Sequence, residues 1–331
     1  MDPARALRDI AFQLERAGEP TYRVRAFRQA AAVVDRLSED ELASRVGAKT
    51  LQALKGIGKA TAGVIEDAWH DRTPAYVAKL PKSTLPDGGA LRTALRGDCH
   101  AHSDWSDGGS PIAEMAETAR ELGHEWIVLT DHSPRLTVAR GLSAERLRAQ
   151  MDEVARVNEQ LAPFRVLHGI EVDILDDGSL DQTEKLLGQL DFVVASVHSK
   201  LRMPAREMTP RMLAAVENPH VRVLGHCTGR LVGGRSRPES QFNSEKVFTA
   251  CREHGVAVEI NSRPDRLDPP TRLLRQAVEL GCEFAIDSDA HAPGQLDWQV
   301  YGCERAEKAG IGAERVINTR TAEGLVSGNP G

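Results

Sequence analysis

The sequence predicts two folded units: a small all-helical module over residues 1–85, and an α/β unit over residues 97–331 built as a closed βα barrel. Three observations carry this. Apolar positions recur at helical spacing through the first 85 residues, with no β-branched run among them. From residue 98 onward short apolar runs alternate with amphipathic stretches, the pattern of buried parallel strands joined by helices. The runs number about seven, which favours a closed barrel over an open sheet.

Each element has its own signature. In the first unit, residues 4–17, 23–37, 39–46, 50–55 and 59–69 read as helices. Residues 86–96, in a stretch with Pro, Ser and Gly, read as a linker. A strand is expected near 97–100, followed by runs at 126–130 (WIVLT), 165–170 (RVLHGI), 192–197 (FVVASV), 221–225 (VRVLG), 256–260 (VAVEI) and 283–286 (EFAI). Amphipathic segments such as 111–122, 144–161, 240–254 and 271–280 lie between them as the barrel's helices.

Composition narrows the function classes. The hydrophobic fraction of 41% and charged fraction of 27% are those of an ordinary folded protein. No apolar stretch approaches the length needed to cross a bilayer, and the N-terminus lacks the apolar segment of a secretion signal, so no membrane association and a cytoplasmic location are expected. Five scattered cysteines without a CxxC pair exclude a zinc ribbon and a disulfide framework. The net charge is −6 but uneven: 14 basic and 11 acidic residues fall within 1–85, against 28 and 37 beyond. A mildly basic module suits phosphates, and an acidic, His-rich one suits cations.

The chemistry lies where the apolar runs end. They lead into His100 and His102 with Asp107 close behind, then Asp131-His132, Glu171, His198, His226, and Asp289 with His291. In a βα barrel the carboxyl ends of the strands share one face. Six imidazoles and three carboxylates gathered there are costly to bury unpaired, and divalent cations remove that cost. Imidazole and carboxylate without thiolate suit Zn, Mn or Fe rather than Ca or Mg. The isolated histidines His70, His124, His168, His220 and His254 are read as ordinary surface or interface residues.

The motifs HAHSDWSDGG, LTDHS, GIEVDIL, ASVHS, GHCTGR and DSDAH, in this order, resemble the PHP (polymerase and histidinol phosphatase) domain over about residues 97–325. The resemblance implies a distorted (β/α)7 barrel with three metals. It implies His100, His102, Glu171 and Asp289 on one ion, Glu171, His198 and His226 on a second with Glu171 bridging, and Asp107, His132 and His291 on a third. Cys227 stands where polymerase-linked members commonly have proline. The segments TYRVRAFRQAAAVV and LKGIGKATAGVIEDA resemble the helical N-terminal domain of family X DNA polymerases, whose bacterial members end in a PHP domain. The polymerase palm is missing, so no polymerase activity is expected. The lysine that some relatives use to attack an abasic sugar falls on Val64.

The Gly56-Ile57-Gly58 turn lets backbone N–H groups approach a phosphate, the helix-hairpin-helix mode of holding DNA without reading its sequence. Arg23, Arg25, Arg28 and Lys59 are expected to add charge there. Phosphoester hydrolysis follows as the expected reaction, by a metal-bridging hydroxide with no protein nucleophile. Asp131 is expected to orient a ligand histidine from behind. Candidates for holding phosphate or a DNA strand are Lys200, Arg202, Arg230, Arg235, Arg263 and Arg266. The leading expectation is an enzyme at DNA ends: 3′ exonuclease, 3′-phosphatase or abasic-site processing. A small-molecule phosphomonoesterase (histidinol phosphate or a nucleotide) and a non-catalytic DNA-repair accessory protein are the alternatives.

Overall fold

The computed structural model describes residues 1–82, 84–233 and 236–327. The chain divides into a unit ending at Thr84 and a unit beginning at Leu85.

The first unit is helical: α1 (Pro3–Arg16), α2 (Thr21–Val34), α3 (Glu39–Gly47) and α4 (Lys59–Trp69). Helix α1 begins where the Asp2 carboxylate accepts the Ala4 N–H at 2.9 Å, with Pro3 in the first turn. Its buried stripe of Leu7, Ile10, Ala11 and Leu14 has helical spacing and meets Phe27 and Ala31 of α2 and Ile65 of α4 in one core. Before α4 the chain turns through Gly56 at φ +100°, a conformation that L side chains rarely adopt. A Cβ there would also sit 3.1 Å from Cγ of Gln29, so the hairpin lies close on α2.

The second unit opens with α5 (Gly89–Ala94), inside the stretch expected to be a linker. Leu91 and Leu95 are buried in the barrel core, and the Leu91 N–H donates to Glu307 at 3.0 Å. Two leucines at i, i+4 outweighed the Pro and Gly that suggested a free connection.

Seven strands follow: β1 (Gly97–Ala101), β2 (Trp126–Leu129), β3 (Arg165–Asp173), β4 (Phe192–Ser196), β5 (Val223–Leu224), β6 (Ala257–Asn261) and β7 (Phe284–Asp287). Each pairs in parallel with the next, in chain order. The two ends of the sheet meet through a parallel bridge between Ala101 and Ala290, and the His102 N–H donates to the Ala290 carbonyl at 2.8 Å. The result is a seven-stranded βα barrel. Its helices are α6 (Ile112–Glu121), α7 (Ala144–Leu161), α8 (Glu184–Leu187), α9 (Ala205–Val216), α10 (Ser244–His254), α11 (Thr271–Glu279), α12 (Gln299–Lys308) and α13 (Ala322–Ser327). Strands are buried on both faces, which explains their continuous apolar runs. Their carboxyl ends converge, and that convergence builds the site.

Candidate metal centre

Glu171, at 1% exposure, lies at the middle of the cluster. Its Oε1 is 2.9 Å from Nε2 of His226 and 3.2 Å from Nε2 of His198. Its Oε2 is 2.9 Å from Nδ1 of His132, 3.4 Å from Nε2 of His100 and 3.6 Å from Nε2 of His102. One carboxylate thus faces imidazoles from strand ends scattered over more than a hundred residues of chain. Asp289 Oδ1 lies 3.5 Å from Nε2 of His102 and 3.9 Å from Nε2 of His100. Asp107 Oδ1 stands 3.5 Å from Nε2 of both His132 and His291. All nine expected side chains are therefore in one cup.

Local structure explains the reach of each. Asp107 sits on a tight loop after β1, where the Gly108 N–H donates to the Ser103 carbonyl at 2.9 Å. A Cβ on Gly108 would come within 2.6 Å of the Ser103 backbone, so only glycine fits. Asp289 adopts φ +51°, turning its carboxylate back over the barrel mouth, and the Asn261 amide donates to its Oδ2 at 3.0 Å.

Buried carboxylates fix several rings from behind. Glu259 Oε1 lies 2.6 Å from Nδ1 of His100, and Asp173 Oδ1 lies 3.1 Å from Nδ1 of His198. The Asp289 carbonyl lies 2.9 Å from Nδ1 of His291. For His100 and His198 the Nδ1 proton is held by a carboxylate, which turns Nε2 toward the cup. Asp131 does not do what was expected of it. Its carboxylate accepts from the Ser103 N–H at 2.9 Å, from both Ser103 and Ser106 hydroxyls, and from Gln150 at 2.6 Å. It ties down the loop that carries Asp107 instead of a histidine ring. Glu259 and Asp173 were missed by sequence reasoning. For Glu259 the usable signal was a carboxylate inside an apolar run, which is costly to bury without a partner.

The donor set fits metal ions on this structure's own terms. Nε2 of His100, both ring nitrogens of His102 and Nδ1 of His132 and His226 are buried without a hydrogen-bond partner. Burial, with His291 and His132 alongside, pushes His102 down to about 3, so it stays neutral and able to donate a lone pair. Burial opposes charge on His198 too, yet Glu171 and Asp173 lift it to about 9. His100 is raised well above the imidazole range against burial, by Glu171, Glu259 and Asp289. The cup demands positive charge at its centre.

The PHP domain matches residues 98–263, and a helix-hairpin-helix domain matches residues 1–73. The chain is 39% identical over 227 residues to the DNA polymerase/3′-5′ exonuclease PolX of Bacillus subtilis, a match covering 69% of this chain and 40% of that protein. The chain belongs to the PHP domain family. A probable phosphatase of Thermoanaerobacter sp. is 30% identical, over 67% of this chain and 89% of its own length. Among solved structures, the histidinol phosphate phosphatase of Lactococcus lactis aligns at TM-score 0.48 and 17% identity, over 66% of this chain and 95% of that one. The chain spans less than half the length of PolX.

Around the PHP cup the basic candidates separate. Arg263 Nη1 lies 3.3 Å from Nδ1 of His291, and Arg266 Nε lies 3.2 Å from Oδ2 of Asp289. Both border the cluster. Arg230 does not, because its guanidinium donates to the carbonyls of Arg266 and Leu267 and so braces their loop. Lys200 pairs with Asp176 at 2.6 Å on the surface, and Arg202 is exposed. Arg235 lies outside the described residues. The isolated histidines also divide: His124 and His168 are buried, not superficial.

In the helix-hairpin-helix unit, Gly58 caps α4, its N–H donating to the Thr61 hydroxyl at 3.0 Å. Arg25, Lys55 and Lys59 are exposed. Arg28 is not available to DNA as expected. It forms a two-pronged pair with Glu15 at 2.8 and 2.6 Å, with only 12% and 2% of the two side chains exposed. Arg23 is similarly engaged, by Glu19 and the Tyr76 hydroxyl. No helix among the described residues is long and apolar enough to cross a membrane.

Proposed function

We propose that the cup holds three divalent ions, of Mn, Zn or Fe, and that the protein hydrolyses phosphoester bonds at DNA ends. His100, His102, Glu171 and Asp289 would hold one ion. Glu171, His198 and His226 would hold a second, and Asp107, His132 and His291 a third. The observation that carries this is the placement of Glu171, with His198 and His226 on one oxygen and His132, His100 and His102 near the other. A single carboxylate so placed suits a bridge between two cations.

Such ions, when bound, make water nucleophilic near neutral pH and neutralise phosphoryl oxygens. The chain's own residues set up that chemistry. Glu259 and Asp173 keep protons on the outer nitrogens of His100 and His198, so both rings offer Nε2. Arg263, beside His291 and paired with Asp265, would take a phosphoryl oxygen. No described side chain is needed as a covalent nucleophile.

DNA is the favoured substrate because a helix-hairpin-helix unit with exposed Arg25, Lys55 and Lys59 precedes the barrel. A small-molecule phosphomonoester is the second reading, favoured by the probable phosphatase matched along 89% of its length. Manganese-loaded protein offered labelled single- and double-stranded oligonucleotides, with and without 3′-phosphate, beside histidinol phosphate, separates the two. Shortened or dephosphorylated oligonucleotides are expected, and turnover of the small ester alone rejects the DNA reading. The His102→Ala protein is expected to lose both turnover and bound metal.

A further inference from the structure

Strand β6 is the one strand whose end supplies none of the nine gathered side chains, yet its inward face is not apolar. Glu259 and Asn261, two residues apart and so on the same side, are both 0% exposed. Glu259 Oε1 takes Nδ1 of His100 at 2.6 Å. Its Oε2 accepts the backbone N–H of His226 and, at 3.2 Å, the Asn261 amide. That amide also donates to Oδ2 of Asp289 at 3.0 Å. One carboxylate thus connects the His100 ring, the His226 backbone and, through Asn261, the Asp289 carboxylate. These groups come from β1 and from the segments after β5 and β7.

A carboxylate with no access to water is expensive to bury, and an apolar side chain would fill a barrel strand more cheaply. Its partners explain its presence. We infer that β6 is the positioning strand of the metal centre: Glu259, braced by Asn261, holds the His100 ring with its proton on Nδ1 and fixes the backbone of His226. The assignment rests on the metal-binding reading above. Glu259 touches no reacting atom in this scheme; it acts through the ligands. The effect spans both ion sites that share Glu171, because His100 belongs to one and His226 to the other.

The test is manganese titration of the full-length metal-free protein, read by bound-metal stoichiometry and affinity beside the melting temperature of the metal-free form. In Glu259→Gln the amide keeps the shape, but its NH2 end cannot accept the His226 N–H while its oxygen serves His100. Affinity is expected to fall about 10–100-fold, the usual cost of losing a partner behind a metal ligand. Most of that loss should vanish when the change is made in a His100→Ala background. A purely structural role would lower the melting temperature and leave affinity alone. Parental affinity in Glu259→Gln overturns the inference. Should that variant fail to fold, Asn261→Ala decides: weakened manganese binding supports the inference and unchanged binding overturns it. A parent protein that binds no manganese sinks the metal reading itself, a separate result.

Discussion

At the scale of single residues, the centre depends on which ring nitrogen each histidine presents. Asp173 takes both the backbone N–H and Nδ1 of His198, each at 3.1 Å. Both bonds go to Oδ1, so Asp173→Ala removes the one accepting atom they share, and the ring can then turn over. Metal affinity is expected to drop about tenfold or more, read by manganese titration, with the fold intact by circular dichroism. Protons compete at the same place. His198 is raised to about 9 in the metal-free cup, after burial is offset by Glu171 and Asp173, so near neutral pH a proton must leave for an ion to enter. Manganese affinity should therefore strengthen with rising pH, by up to about tenfold per unit for each proton displaced, between about pH 6 and about pH 8. An affinity flat across that range would show that the cup loads without releasing a proton. The nine gathered side chains were legible in the sequence because each closes an apolar run or follows one closely. Glu259 was hidden inside such a run, and Asp173 followed Glu171 without any mark of its own. Arg28 and Arg230 show the opposite failure. Residue type announced a free cation, and only the fold could reveal that a glutamate or two carbonyls already occupied it.

At the scale of elements, the helical unit is held by more than its apolar stripe. Arg28 on α2 and Glu15 on α1 form a nearly buried pair with two parallel bonds. Removing one partner leaves a charge stranded in a poorly hydrated place. Glu15→Ala is expected to destabilise this unit by about 3 kcal/mol, at the low end for breaking such a pair. Thermal unfolding followed by circular dichroism checks it, and a loss under about 1 kcal/mol would mean that Arg28 finds water instead. The element pattern itself was readable: helices, then strands alternating with helices, then closure. Helix α5 was not, because Pro and Gly nearby suggested a free connection, while Leu91 and Leu95 answered to a core formed by distant sequence. Strand β5, only Val223–Leu224 long, shows the same limit, since an apolar run marks burial but not how far pairing extends.

At the scale of the whole molecule, charge is divided unevenly along the chain. Residues 1–85 carry 14 basic and 11 acidic side chains, whereas the remainder carries 28 and 37. An acidic barrel attracts divalent cations but repels a polyanion at long range, so binding to DNA needs a basic unit to offset that repulsion. Arg25 and Lys59 are the test positions, since both are exposed and neither belongs to the cup. The double variant Arg25→Glu/Lys59→Glu should weaken oligonucleotide binding, with a salt dependence shallower by about 1–2 in log–log slope, as expected when about two phosphate contacts are lost. Turnover of a small phosphomonoester by the same preparation should stay at the parental rate, because no described ligand of the cup is altered. Fluorescence anisotropy over a salt series and a colorimetric phosphate assay give the two readouts. If both fall together, the helical unit supports the barrel's activity generally and does not act as its DNA-binding part. If neither moves, the phosphate contacts lie on the barrel, where Arg263 and Arg266 already border the cup.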